Sequence, residues 1–404
     1  MQRVSQHWLQ TNAAPFTDEG NINISLRHGA NNSFLMDDQW ILSFKQEING
    51  SLLSGSLFEN KITVTVDNHD GRFIYDASSD LYRNNRINFI YSFAITEYEN
   101  GESYKTYDPI NGAEMFVRSS TFDNDKQTVT LECADILSFL TETYTGRKTG
   151  NGFEIAGAVI SQARISNIVP ISDVNANLDV DALSAVVVNI PQNKHYSLRD
   201  ILQMVANAAM CVIFVDRSGR IHIERITDID GSVLASLPSQ QYTIGMNVQY
   251  TSVKSEFSPN INRVTVIFED AQNEGMLDFP DTEGQEQTLE NAIIANDPEQ
   301  GDQQVNYLIL WIYNTLKCGR TVYSGTYRAD PRVDLFDIIF IETKNGDAVP
   351  CILTSLQLEY TGAWRGTFKA VSANVGSDIT DINSLEALTI NDLETHTLNE
   401  LEGN

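Results

Sequence analysis

The sequence predicts a mainly β protein with a smaller α/β part, and three observations carry that expectation. Between residues 318 and 372, β-branched and aromatic residues gather in short runs separated by Asp330-Pro331, Asn345-Gly346 and Gly362, the punctuation of an antiparallel sheet. Between residues 60 and 67 the chain alternates, with Ile62, Val64 and Val66 on one face and Lys61, Thr63 and Thr65 on the other. Between residues 193 and 210 the period becomes helical, with Leu198, Ile201, Leu202, Val205 and Ala209 in one stripe.

Taken in order, residues 21–27 and 38–46 read as strands, and Asn49-Gly50 as a turn before the strand at 60–67. The stretch from Asp67 to Phe73 holds two carboxylates and a glycine. A calcium loop starting at Asp67 needs a glutamate at its twelfth position, where Ser78 stands, so a polar turn is expected instead. Strands follow at 86–94, 113–120 and 127–134, the last two joined by a turn at Asn124-Asp125, and residues 135–141 read as a helical turn. Gly146, Gly150 and Gly152 then mark a boundary.

The middle region opens with a helix at 153–164, carrying Ile155, Val159 and Ile160 at helical spacing. In the helix after Ser197, that serine is the expected N-cap, and Asp200 completes a box three residues on. A hairpin at 211–215 and 220–224 turns through Asp216-Arg217-Ser218-Gly219. His195 and His222 lack a readable carboxylate, serine or cysteine partner and are expected as surface histidines. Residues 262–270 can be laid on 60–68, which suggests a duplicated strand. Residues 271–303 read as a long polar loop and 304–316 as an apolar helix. Strands at 321–327, 338–342, 349–360 and 364–371 complete the folded part. On the last of them Trp364, Gly366, Phe368 and Ala370 share one face.

The chain's 404 residues suffice for two to four domains, and its formal charge is −27. Such a charge argues against specific nucleic-acid binding, which needs Lys and Arg to displace counterions. It suits solubility, or an acidic channel wall that lets a polyanion pass without sticking. No apolar run approaches the roughly 18–20 residues of a membrane span, and the first residues lack the apolar core of a secretory signal. The four cysteines (Cys133, Cys211, Cys318, Cys351) lie far apart in or beside apolar segments, as buried free thiols do. No nucleophile sits with a base, and no metal-ligand spacing or phosphate loop is present. No catalytic, cofactor-binding or metal residue is therefore assigned, and no cofactor is expected.

The last segment, 376–404, repeats every eight residues: Ile382 and Leu385, Ile390 and Leu393, Leu398 and Leu401 recur in unbroken register. In a continuous helix the stripe would rotate by about 80° per repeat, so one flat helical face is excluded. Each repeat offers Asn as an N-cap with Glu three residues later, which suits a string of capped turns. These six aliphatic side chains are the expected contacts of a docking strap ordered by a partner.

Residues 327–332 (YRADPR), 334–339 (DLFDII) and 358–362 (LEYTG) resemble the C-terminal barrel of tailed-bacteriophage baseplate hub proteins, also called tail-associated or minor tail proteins. Asn68, Asp70, Gly71, Phe73 and Tyr82 resemble a turn of the N-terminal barrel of that family. The helix and hairpin at 197–224 look like what lies between the two. The resemblance implies tube-like antiparallel β-barrels at 1–145 and 246–375 flanking a mixed α/β domain at 146–245, with a tail at 376–404. It implies a non-enzymatic virion structural protein, assembled in the host cytoplasm, at the tail tip. There a homotrimer would adapt a six-fold tube to a three-fold tip and line the DNA exit channel. The implied partners are other copies of itself, a distal tail or tail tube protein, the tape measure protein and a tip spike or fibre protein. Genomic DNA would pass without specific binding. Three alternatives stay open: a polysaccharide-degrading enzyme, a carbohydrate-binding or adhesin module, and a distal tail ring protein.

Overall fold

The structure is a computed structural model. It describes residues 20–28, 32–36, 39–50, 57–71, 73, 86–99, 102–165, 176–225, 242–257, 261–268, 273–278, 284–294, 301–316, 321–346 and 348–372.

Seven strands come first: β1 (Gly20–His28), β2 (Asn32–Met36), β3 (Ile41–Asn49), β4 (Leu57–Asp67), β5 (Arg86–Glu99), β6 (Glu102–Asp123) and β7 (Thr128–Ala134). The alternation read at 60–67 is realised in β4, where Ile62, Val64 and Val66 are buried between β3 and β7. The turn after it is polar, as expected. The Asn68 side chain accepts from Phe73 N–H at 2.8 Å and donates to its carbonyl at 2.9 Å, while Gly71 takes φ 70°. Tyr82, the last residue of that motif, lies outside the described residues.

The helical part follows. Asp135 caps a 3-10 turn (Ile136–Phe139), and then come β8 (Thr149–Asn151), α1 (Gly152–Ile165), β9 (Ala176–Leu178), α2 (Val180–Ser184) and β10 (Val187–Asn189). Next are α3 (Leu198–Ala208), β11 (Val212–Val215) and β12 (Ile221–Glu224). The expected capping box of α3 is present. Ser197 Oγ accepts from Asp200 N–H at 3.1 Å, and the Asp200 carboxylate accepts from Ser197 N–H at 3.0 Å. Its predicted stripe is buried throughout.

The chain then forms β13 (Thr243–Ile244), β14 (Lys254–Phe257), β15 (Ile261–Phe268), β16 (Asn273–Asp278), β17 (Gln285–Asn291) and α4 (Gly301–Leu316). It ends in β18 (Thr321–Tyr327), β19 (Ile338–Glu342), β20 (Ala348–Tyr360) and β21 (Trp364–Ser372). Gly346 and Gly362 take φ 84° and 92° in the turns either side of β20, where a Cβ would be strained. On β21 the faces divide as read, Trp364, Gly366, Phe368 and Ala370 inward, Arg365, Thr367 and Lys369 outward.

The mainly β class with a smaller α/β part is therefore observed, but the sheets do not close into two barrels. Among the described residues one path runs β14-β18-β21-β20-β3-β4-β7-β6-β5-β1-β2. Its first and last groups of strands meet where β3 pairs antiparallel with β20, Phe44 opposite Tyr360 and Asn49 opposite Ser355. Phe44, Tyr91 and Trp364 pack edge to face across this seam, with centroids 5.1–5.9 Å apart.

Two further expectations are corrected. Residues 271–303 are not one loop, because β16 and β17 flank β15 in a separate sheet. Both are edge strands, and β17 turns Gln285, Glu286, Thr288 and Glu290 to solvent, so its sequence shows little apolar alternation. Nor do 60–68 and 262–270 occupy equivalent places. Val64 lies between two antiparallel partners, whereas Val266 has one antiparallel and one parallel partner. Short β-branched strands converge by composition.

The core follows the sheets rather than the linear order. One cluster draws on β3 to β7 together with β19 to β21. The other joins α1, α3 and the β11–β12 hairpin to Ile261, Val264, Val266 and one face of α4. Among the described residues, β15, Ile293, Ile294 and α4 thus pack with the middle region instead of with the strands that follow them.

Candidate functional site

Residues 330–337, the loop that carried the resemblance, form the point where three parts of the chain meet. Asp330 and Arg332 face each other two residues apart, both buried, with Arg332 Nε 2.8 and 2.9 Å from the two carboxylate oxygens and a third contact from Nη2. Burying two ions costs several kcal/mol each unless they are paired, so the mutual neutralisation is what allows this turn into the core. Asp330 Oδ1 also accepts from Arg332 N–H at 3.0 Å, which fixes the bend at Pro331.

Arg217 reaches this loop from the tip of the β11–β12 hairpin. Its Nε donates to Asp334 at 2.5 Å, its Nη2 to the carbonyls of Pro331 and Val333 at 2.6 and 3.1 Å, and its Nη1 to the Asn111 carbonyl of β6 at 2.9 Å. A planar guanidinium with five donors can hold four acceptors from two separate segments, which an ammonium cannot do with the same geometry. Gly219 at φ 78° and the Asp216 carboxylate, accepting from Ser218 and Arg220 N–H at 2.9 and 3.0 Å, shape the turn that presents it.

Phe336 is the apolar counterpart. It holds φ 62°, a region that a bulky side chain rarely adopts, and its ring sits edge-on to Phe58 of β4 at 4.7 Å and to Phe214 of β11 at 5.0 Å. Its N–H donates to Leu353 of β20 at 2.9 Å, so the strained residue is held from both sides.

His222 is not the free surface histidine expected from sequence. Its Nε2 lies 3.0 Å from Asp216, its Nδ1 3.5 Å from Glu224, and its ring stacks on Phe214 at 4.8 Å. The bond to Asp216, then that to Glu224, raises its pKa to about 9. Burial disfavours the Asp216 carboxylate, but donation from His222, Ser218 and Arg220 outweighs this and holds it well below the usual range. The pairing spans a hairpin turn, and only the strand pairing, not the spacing, brings these groups together. His195 is exposed, as expected.

No chemistry follows from these groups. Asp216 is committed to the hairpin turn and to His222, and Arg217 to the loop it clamps. Among the described residues no set of three or more His, Cys, Asp or Glu could hold a metal ion. Cys133, Cys211 and Cys351 are buried free thiols, and burial raises all three, Cys211 and Cys351 to about 12, which leaves no thiolate for catalysis. Cys318 lies outside the described residues, as do the six predicted docking contacts Ile382, Leu385, Ile390, Leu393, Leu398 and Leu401. A groove of about 350 Å³ opens on the solvent face of β18, β20 and β21, between Tyr250, Gln357, Glu359 and Arg365. The Arg365 guanidinium lies 5.3 Å over the Tyr250 ring.

What the arrangement builds is a joint between the hairpin, β6 and the 330–337 loop, and the fold that contains it is one found in tail proteins. The tail protein from Neisseria meningitidis MC58 shares it at 10% identity and a TM-score of 0.54, over 87% of this chain and 96% of that one. The 43 kDa tail protein of prophage MuSo2 from Shewanella oneidensis shares it at 12% identity and a TM-score of 0.53, over 87% of this chain and 98% of that one. At such identities the likeness is one of fold. No family model matches the sequence, and no curated protein matches it.

Proposed function

We propose that this chain is a structural protein of a phage-type tail, placed at the tail tip as a trimeric hub. The observation that carries the reading is the fold shared with two tail proteins over 87% of this chain and nearly all of theirs. The joint described above supports it. A protein that transmits force between a tube and a tip needs its strand groups held in fixed relation, and Arg217, Phe336 and the β3–β20 seam supply that.

In this reading the two strand groups either side of the seam stand in for the two barrels expected from the sequence. Three copies present six such groups, which matches a six-fold tube to a three-fold tip. The domain division becomes two cores that each draw on both halves of the chain, followed by the 376–404 tail as a docking strap. The distal tail or tube protein, the tape measure protein and a spike or fibre are the proposed neighbours in the virion, and the acidic chain lines a channel that DNA crosses without binding. No catalytic role is assigned. Deleting the coding sequence from its parent genome tests the reading: particles without complete tails are expected, and infectious particles with normal tails would overturn it.

A further inference from the structure

We propose that the groove on the solvent face of β18, β20 and β21 is a binding site for a small neutral saccharide. Its walls include Tyr250, Thr326, Gln357, Glu359 and Arg365. All of them come from one copy of the chain, so the proposal stands apart from the trimeric reading.

The groove opens where a cross-strand ion pair is not made. The register of β20 and β21 sets Glu359 directly opposite Arg365, a spacing at which opposite charges can pair across an antiparallel sheet. Instead Glu359 accepts from Gln357 Nε2 at 2.5 Å, and the Arg365 guanidinium lies over the Tyr250 ring. Among the described residues Arg365 has no carboxylate partner, so its N–H donors are left to solvent.

The aromatic wall is anchored by its backbone. Tyr250 N–H donates to the Thr326 carbonyl at 3.0 Å, and the preceding Gln249 Nε2 donates to the carbonyls of Ile244 and Glu342 at 3.1 and 2.9 Å. The hydroxyls of Thr251 and Thr326 meet at 2.9 Å. Tyr250 nevertheless stays 52% exposed. A wall already held in place lowers the ordering cost of binding.

The chemistry of the walls selects the ligand. Arg365 supplies donors, Glu359 supplies acceptors, and their formal charges cancel, so the groove favours neither an anion nor a cation. The chain's net charge of −27 weighs further against an anion. A vicinal diol matches both groups: one hydroxyl donates to the carboxylate while its neighbour accepts from the guanidinium. The exposed Tyr250 ring offers apolar surface to the C–H face of a sugar. A volume of about 350 Å³ lies at the small end of the ~300–1,000 Å³ range of small-molecule sites, which suits about one or two sugar rings.

The test is saturation-transfer NMR on the full chain with glucose, galactose, mannose, N-acetylglucosamine, maltose and cellobiose, each at millimolar concentration. At least one sugar is expected to receive signal, and Arg365→Ala and Tyr250→Ala are each expected to weaken its binding by about tenfold or more. Lys369→Ala, on the same solvent face of β21 but outside the groove, leaves binding unchanged. Tyr250 and Arg365 are exposed, so melting temperatures close to wild type are expected, which separates lost binding from a lost fold. Transfer to none of these sugars, or transfer that survives both groove variants, would overturn the site. Binding of free glycine in place of the sugars, lost in Arg365→Ala, would overturn the ligand class in favour of a zwitterion.

Discussion

Arg217 and Asp334 are joined by a hydrogen bond of 2.5 Å although they stand 117 residues apart. The contact fastens the middle hairpin to the loop between β18 and β19. Arg217→Ala removes four donated bonds and leaves three backbone carbonyls and a carboxylate to be satisfied by water alone. A loss of about 1–3 kcal/mol is expected, discounted for the partial exposure of Asp334. Arg217→Lys should recover less than half of it, because an ammonium cannot reach all four acceptors at once. Urea unfolding of the three proteins measures this, and equal stability of all three would refute the clamp.

Phe336 holds a positive φ for the sake of its ring contacts. Phe336→Ala loses the packing and keeps the strain, and should cost about 2–4 kcal/mol. Phe336→Gly loses the same packing but relaxes the backbone, so it is expected to be the more stable of the two by about 1 kcal/mol. If the alanine variant is the more stable one, the strain argument fails.

Asp135 is buried, and although Asn60 N–H and Leu137 N–H donate to it at 2.7 and 3.1 Å, burial dominates and raises its pKa to about 7. The folded state thus prefers the protonated acid. Its stabilising contribution is present below the ordinary carboxylate range and is lost as pH rises through about 7, at roughly 1.4 kcal/mol per unit. The gap between wild type and Asp135→Asn should therefore move in favour of the variant from pH 5 to pH 8. Denaturant titrations at both pH values decide it, and a gap that does not change with pH contradicts it.

The His222 pair runs in the same direction, in a higher pH window. A folded pKa of about 9 means that its contribution is complete below about pH 6.5 and is lost as pH rises through 9. His222→Gln should therefore lower stability most below about pH 6.5, with the gap to wild type closing as pH rises to 9, so that the alkaline limb is flattened. Melting temperatures between pH 6 and pH 10 check this, and an unchanged alkaline slope in the variant would refute the pairing.

Much of this fold was legible because local sequence encodes local structure. Ser197 and Asp200 announced their capping box, Asn345-Gly346 its turn, and Ile62, Val64 and Val66 their face. The joint was not legible. Arg217 looked like one residue of a polar turn, and Phe336 like one position in the stretch leading into the strand at 338–342, because the groups they clamp or pack against come from segments more than a hundred residues away. The β3–β20 seam was hidden for the same reason, since alternation shows that a strand exists and not which strand lies beside it. His222 was missed because Asp216 lies across a hairpin, where spacing along the chain has no fixed meaning.

The 376–404 tail, with its eight-residue repeat, is expected to dock and not to fold the body. A chain ending at residue 376 should keep the full-length oligomeric mass and melting temperature but fail to recruit the next tip component in co-purification. Normal recruitment by the shortened chain would refute the strap.

Native mass spectrometry of the purified full-length chain tests the central claim most directly. A trimer is the expected species. Six copies would point to a distal ring instead of a hub, and a single copy at all concentrations would contradict the assembly role.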